Sequence, residues 1–111
     1  MSMELHIVRI PESLENRISA EEWLECISED ADLQRKEADD IPGNWIVATV
    51  SGTEEWEVLR WSNGSISAKY PQNRMTAKML DLSERLSAAL MTDDGIIFKR
   101  GNDGRIACDE F

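Results

Sequence analysis

The dipeptide Asn63-Gly64 is the feature that most limits what this chain can fold into. It separates two segments with strand-like composition, Trp56–Trp61 and Ser65–Tyr70. Asn-Gly is the strongest short-range signal for a two-residue β-hairpin, because both residues tolerate the positive φ angles of a type I′ turn. Such a turn also fixes the pairing of its strands and places Trp61 opposite Ile66. An antiparallel hairpin is therefore expected at the centre of the fold.

Two helices and four more strands are predicted around this hairpin. Ser19 and Glu22 have the spacing of a capping box and predict a helix that ends near Glu29. An apolar stripe predicts a second, longer helix over Asn73–Met91, stopped by Asp93-Asp94-Gly95. Between the first helix and the next strand, Asp30–Gly43 is predicted to be a long polar loop. The four strands are predicted over Glu4–Ile10, Trp45–Val50, Ile96–Arg100 and Arg105–Cys108.

The order of elements is therefore β-α-β-β-β-α-β-β. Each helix has one apolar stripe, and the central strands alternate between apolar and polar residues. The expected architecture is an α+β two-layer sandwich, in which a mostly antiparallel sheet carries both helices on one face. The length of 111 residues fits a single domain over residues 1–111.

The hairpin register divides the sheet residues between a core face and a second face. The core face is predicted to hold Trp61, Leu59, Ile66, Ala68 and Tyr70. The second face is predicted to hold Trp45, Val47, Trp56, Val58 and Arg60, with Arg60 opposite Trp45 in a cation–π contact. Three interpretations stay open: this face binds a partner, it is covered by the chain itself or a second copy, or the register is off by one and the faces are exchanged.

No arrangement of residues in the sequence predicts catalysis. His6 is the one histidine, and a lone strand histidine is more often structural than catalytic. Zinc sites use three or four Cys and His ligands, and here these residues are scattered. The acidic pairs Asp30-x-Asp32 and Asp93-Asp94 lack the other features of a calcium loop. We therefore expect no catalytic residue, no metal site and no cofactor.

The charge of the chain limits the choice of partner. It has 22 acidic and 12 basic side chains, for a net charge of −10. This acidity argues against nucleic acids and anionic membranes as partners. No secretory signal and no membrane-spanning run is visible, so a cytoplasmic location is expected. The acidity either serves solubility alone or steers the chain towards a basic protein.

If the partner is basic, three groups of side chains are candidates for the contact. Long loops are often functional. The acidic side chains of the predicted loop Asp30–Gly43 would then form the rim of the interface, and aromatic side chains of the second sheet face would form its centre, called the anchor. The loop acids are Glu29, Asp30, Asp32, Asp39 and Asp40. The acids of the predicted turn between the strands Trp45–Val50 and Trp56–Trp61 are Glu54 and Glu55. The anchor is Trp45, Trp56 and Arg60.

Two segments resemble a group of small bacterial α+β proteins. The helix opening Ser19–Leu24 with Asp30–Leu33, and the hairpin Trp61–Lys69, are similar to theirs. The resemblance suggests immunity proteins of polymorphic or contact-dependent toxin systems, which bind a cognate toxin domain, for example a nuclease, and block its activity. It implies a non-enzymatic binding role and carries over no site residues. The alternatives are a structural or regulatory homodimer paired through the second sheet face, and a small enzyme or ligand-binding domain.

Overall fold

The computed structural model describes residues 4–9, 16–54, 56–69 and 71–100, together with the backbone of 106–110. The described residues form two helices, α1 (Ala20–Glu29) and α2 (Asn73–Arg85), and one antiparallel sheet in the order β2-β3-β4-β5-β1-β6-β7-β8. The eight strands are β1 (Glu4–Val8), β2 (Leu33–Lys36), β3 (Ile46–Val50), β4 (Val58–Ser62), β5 (Ser65–Lys69), β6 (Ala89–Thr92), β7 (Ile96–Arg100) and β8 (Ile106–Glu110).

The predicted α+β class is confirmed, and every predicted element is present in the predicted order. Two strands are added to that order. β2 lies inside the segment predicted to be a loop, and β6 lies inside the segment predicted to be the end of the second helix. Of the predicted strand and site residues, Ile10, Glu55, Tyr70 and Arg105 lie outside the described residues.

The second helix ends at Arg85, so the prediction that it reaches Met91 is wrong. Ser87 adopts a φ of +54°, in the left-handed region. Its N–H donates to the carbonyl of Glu84, and the N–H of Ala88 donates to the carbonyl of Ser83 at 2.8 Å. These two bonds form a Schellman motif, which satisfies the last carbonyls of a helix and reverses the chain. Glycine is the usual residue at this position, so the serine gave no sequence signal for the end of the helix.

The residues that follow α2 form β6, which pairs with β1 and β7. Asp93-Asp94-Gly95 is therefore the turn of a β-hairpin, and the prediction that it stops the helix is wrong. The N–H of Gly95 donates to the carbonyl of Thr92 at 3.1 Å, and Gly95 has a φ of +88°. A glycine suits this turn because the left-handed region costs it little.

The first helix begins as the sequence predicts. Ser19 is the N-cap, and its hydroxyl accepts a hydrogen bond from the N–H of Glu22 at 3.1 Å. The Glu22 carboxylate in turn accepts from the N–H of Ser19 at 3.1 Å. This reciprocal pair satisfies two of the N–H groups that a helix N-terminus leaves without partners.

A buried carboxylate supports the start of α2. Gln72, the N-cap, makes no side-chain capping bond. Glu57, which is 3% exposed, accepts from the N–H of Gln72 and from the N–H of Glu54, both at 3.2 Å. A negative charge at this position is favourable because the positive end of the helix dipole lies there. Glu57 therefore has a structural role, since it links the β3–β4 connection to α2.

Both helices pack on one face of the sheet, as predicted. The core combines buried residues of α1 and α2, among them Trp23 and Met79, with buried residues from one side of the sheet, among them Leu5, Leu59 and Ile66. In an antiparallel pair, directly opposed residues share a face. The other side of the sheet is called the open face below, because the described helices lie on the side away from it.

The hairpin register around Asn63-Gly64 is confirmed. Asn63 and Gly64 have φ values of +53° and +89°, and Trp61 lies opposite Ile66. In the β3–β4 pair the predicted register is wrong by two residues, because Arg60 lies opposite Val47 instead of Trp45. A shift of two residues keeps each side chain on its face, so the predicted division into faces holds for these strands.

Candidate binding surface on the open face

A row of directly opposed side chains crosses the open face from strand to strand. Its members come from β3, β4, β5, β1, β6 and β7 and are, in that order, Val47, Arg60, Ser67, His6, Met91 and Ile97. Val47 is buried, and the other five are partly exposed. The row is mixed in character, with aliphatic side chains at its ends and polar side chains in its middle.

Arg60 is held by two neighbouring side chains on the open face. Its guanidinium carbon lies 5.4 Å from the centroid of the Trp45 ring, which confirms the predicted cation–π contact. Its Nη2 also lies 3.3 Å from Oε1 of Glu4 on β1. The Arg60 side chain is consequently only 20% exposed, although it lies on the face away from the helices. An aromatic ring and a carboxylate thus hold one planar cation in place.

His6 and Asp93 form a second polar contact beside Glu4. Nε2 of His6 lies 2.5 Å from Oδ1 of Asp93, which belongs to the β6–β7 turn. Glu4, His6 and Asp93 each present one nitrogen or oxygen ligand atom, and these three atoms lie within 4.8 Å of one another. The sequence did not predict this cluster, because Asp93 is 87 residues from His6. The one local signal was the Glu4-x-His6 spacing, which places both side chains on the same face of a strand.

Three of the predicted binding acids lie at the helix layer and are paired within the chain. Asp30 accepts from Lys78 Nζ at 2.6 Å, Asp32 lies 3.5 Å from the same nitrogen, and Glu29 pairs with Arg85. Burial acts to raise the pKa of Asp30, but the hydrogen bond from Lys78 and the neighbouring positive charges outweigh it, and the pKa lies below its ordinary value. These acids join α1 to α2, and the structure does not bring them to the open face.

The remaining predicted site residues lie at opposite ends of the β3–β4 pair. Asp39 and Asp40 are exposed in the loop that leads to Trp45, so they lie at the Trp45 end. Glu54 and Trp56 belong to the connection between β3 and β4, at the far end. Trp56 is 54% exposed, but it lies in a turn closed by the Glu57 N–H to the Glu54 carbonyl. The prediction that Trp56 begins the strand Trp56–Trp61 is therefore wrong, because β4 begins at Val58.

The described surface also has shallow pockets, one beside β2 and one beside the connection between β3 and β4. One of about 540 Å³ is lined by polar side chains of β2, β3 and the turn that follows, among them Gln34, Lys36, Thr49 and Glu54. Among its described lining residues there is neither a histidine nor a cysteine, and Glu54 is the one carboxylate. A second pocket of about 440 Å³ adjoins it at Thr53 and Glu54 and reaches Arg74.

Comparison with known proteins yields no match to a family model, to a curated protein or to a solved structure. No helix among the described residues has the length and apolar character needed to cross a membrane.

Proposed function

We propose that this chain is a non-enzymatic binding protein of the immunity type, which binds a basic toxin domain in the cytoplasm of the producing cell and blocks its activity. The observation that carries the proposal is the position of Arg60 between Trp45 and Glu4 on the open face. Tryptophan and arginine are over-represented among the residues that dominate binding energy at protein interfaces. A cation already fixed by two neighbours also loses little conformational freedom when a partner binds.

The distribution of charge supports a basic partner. It also indicates that the residues that attract the partner over a distance differ from those that contact it. The net charge of −10 attracts a basic protein over a distance, wherever on the surface the individual acids lie. The open face itself has a mixed charge, since Lys69 and Arg60 offset Glu4 and Asp93. The acidic loop with Asp39 and Asp40 lies beside the Trp45 end of that face. We therefore assign the anchor to Trp45 and Arg60, and the orientation of the encounter to the loop acids.

Replacement of Trp45 tests the anchor. Trp45→Ala removes the ring from the centre of the proposed contact, so we expect the affinity for the cognate toxin domain to fall by roughly tenfold or more. The affinity is measured by calorimetry with the purified cognate toxin domain, which is sought among the products of the neighbouring genes. Rescue of growth in cells that express this domain gives a second readout.

Trp56→Ala is the matched control, because it removes an exposed tryptophan at the far end of β3–β4 and should leave the affinity unchanged. Equal affinity of the Trp45→Ala variant and the unchanged protein would contradict the anchor. The wider proposal fails if no neighbouring toxin is neutralised, or if the purified chain forms a stable dimer that buries Trp45.

Charge reversal in the loop tests the steering. Asp39→Lys with Asp40→Lys should slow association with the basic partner and weaken its dependence on salt, while the melting temperature stays nearly unchanged because both side chains are exposed. Stopped-flow association at low and high ionic strength measures the effect. Glu21→Lys with Glu25→Lys on the exposed side of α1 changes the net charge equally and should slow association less. If the loop variant unfolds, the loop is part of the scaffold and the assignment is wrong.

A further inference from the structure

We propose that Glu4, His6 and Asp93 form a binding site for a divalent transition-metal ion such as Zn²⁺ on the open face. Together they offer one imidazole nitrogen and two carboxylate oxygens, and the three ligand atoms lie within 4.8 Å of one another. The proposal departs from the expectation drawn from the sequence, which considered histidine and cysteine for zinc and the acidic pairs for calcium separately and predicted no metal site.

The backbone holds the three ligands in place on ordered elements. Glu4 and His6 are two residues apart on β1 and therefore point to the same side of the sheet. Leu5 lies opposite Thr92 in the β1–β6 pair, which brings the next residue, Asp93, beside Glu4. The turn that carries Asp93 is fixed by the bond from Gly95 to the Thr92 carbonyl and by the Ile96 N–H, which donates to Thr92 Oγ1 at 3.1 Å.

The spacing suits an ion after small side-chain movements. Zinc lies about 2.0–2.2 Å from nitrogen and oxygen ligands, so two ligands of a tetrahedral site are about 3.3 Å apart. His6 Nε2 and Asp93 Oδ1 are 2.5 Å apart in their hydrogen bond, and an ion between them would replace that bond and open the gap slightly. Glu4 and His6 are about three-quarters buried, whereas Asp93 is 57% exposed. The ion would therefore stay accessible to water at its fourth position.

Arg60 lies next to the proposed site and contacts one of its ligands, Glu4. It contacts one oxygen of Glu4, Oε1, at 3.3 Å. A carboxylate has two oxygens, so Arg60 can orient Glu4 from outside while the ion takes the other oxygen. Groups that hydrogen-bond to a ligand in this way fix its direction. The proposed ion would thus lie next to the Trp45–Arg60 contact.

The ligand set also selects the class of ion. Imidazole suits zinc, copper, iron and nickel, whereas Mg²⁺ and Ca²⁺ prefer sets made of oxygen alone. The cluster contains no thiolate, which the softer Cu(I) prefers. We therefore expect Zn²⁺ and Co²⁺ to bind, and Mg²⁺ to bind poorly.

The test is metal titration of the full chain without a histidine tag, after removal of bound metal with a chelator. Zn²⁺ binding is followed by calorimetry, and Co²⁺ binding by visible absorption, which reports the coordination geometry. We expect one ion per chain, a dissociation constant in the micromolar range or below, and a rise in melting temperature with added Zn²⁺. His6→Ala and Asp93→Asn should each weaken binding at least tenfold.

Asp94→Asn is the matched control, because it removes the same charge from the neighbouring exposed residue of the same turn. It should bind Zn²⁺ like the unchanged protein. His6→Gln replaces His6→Ala if the alanine variant does not fold, since it keeps a polar side chain of similar length. The proposal is overturned if the unchanged chain binds neither ion in this range, or if all variants bind equally, because the ion then lies elsewhere. In either case His6 and Asp93 form only a hydrogen bond of the sheet surface.

Discussion

Trp23→Ala is expected to lower the free energy of unfolding by about 3–5 kcal/mol. Trp23 lies on α1, is 0% exposed and belongs to the core cluster beneath the sheet. Its removal leaves the largest cavity that a single substitution in this core can make. Its indole Nε1 also donates to the carbonyl of Ile46 at 3.2 Å, so the substitution breaks a bond between α1 and the first residue of β3.

The measurement is urea unfolding followed by far-UV circular dichroism, which does not depend on tryptophan fluorescence. A loss of this size lowers the melting temperature by roughly 12–20 °C in a domain of this length. Trp23→Phe keeps an aromatic ring and loses the N–H, so it should cost distinctly less than Trp23→Ala. Trp56→Ala, at a side chain that is 54% exposed, should change stability by less than about 0.5 kcal/mol. Similar values for Trp23→Ala and Trp56→Ala would show that the assigned core is wrong.

The features that the sequence predicted well all depend on neighbouring residues. The Asn63-Gly64 turn and the capping box of Ser19 and Glu22 are signals within four residues, and both are present in the structure. The division of β4 and β5 into faces follows from the turn, because side chains alternate along a strand. The Trp45–Arg60 contact was predicted for the same reason. It is present although the predicted β3–β4 register is wrong by two residues, because long side chains on diagonal neighbours can still reach each other.

The two strands that were missed lack such signals for different reasons. β2 has the sequence Leu-Gln-Arg-Lys at the edge of the sheet, with Leu33 as its one buried residue, so no alternation marks it. Charged residues are typical of edge strands because they discourage pairing with other chains. β6 was hidden because Leu86 and Leu90 continue the helical spacing of α2. The chain breaks the helix at Ser87 through backbone bonds that many sequences can make.

The contacts of the candidate site also could not be predicted from local sequence signals. β1 is inserted between β5 and β6, far from either in sequence, and this placement brings Glu4 to Arg60 and His6 to Asp93. The sequence contains these residues but no local sign of the strand order. The pairing of Asp30 with Lys78 was missed for an equivalent reason, since it depends on how α1 packs against α2. Contacts that depend on topology have to be read from the structure.

Arg9, just after β1, has the widest set of contacts among the polar residues described. Its guanidinium donates to both oxygens of Glu22 on α1, to the carbonyl of Leu86 at the end of α2, and to the carbonyl of Arg17. It is 17% exposed. One cation therefore joins β1 to both helices, and it lies at the C-terminus of α2, where a positive charge is favourable.

Arg9→Ala is accordingly expected to cost about 2–3 kcal/mol, because the Leu86 carbonyl and the Glu22 carboxylate each lose their bonds to it. Urea unfolding measures the loss. Arg35→Ala is the control, since Arg35 lies on the edge strand and makes one long contact, 3.7 Å to Glu37. It should change stability by less than about 0.5 kcal/mol. A loss for Arg9→Ala that is no larger than for Arg35→Ala would show that the Arg9 contacts do not hold the layers together.

The ion pair of Arg9 and Glu22 predicts how the stability of the chain depends on pH. The hydrogen bond from Arg9, supported by the N–H of Ser19, lowers the pKa of Glu22 from 4.5 to about 2 in the folded chain. The unfolded chain therefore binds this proton more readily, so the stabilisation is complete above pH 4.5 and is lost as the pH falls through about 2. Glu22→Gln removes the charge at every pH, while all other acids titrate equally in both proteins. The stability difference between the unchanged chain and Glu22→Gln should thus be largest near neutral pH and shrink towards pH 2 in urea unfolding. A difference that stays constant over that range would mean that the Glu22 carboxylate is not held by Arg9 as a charged group.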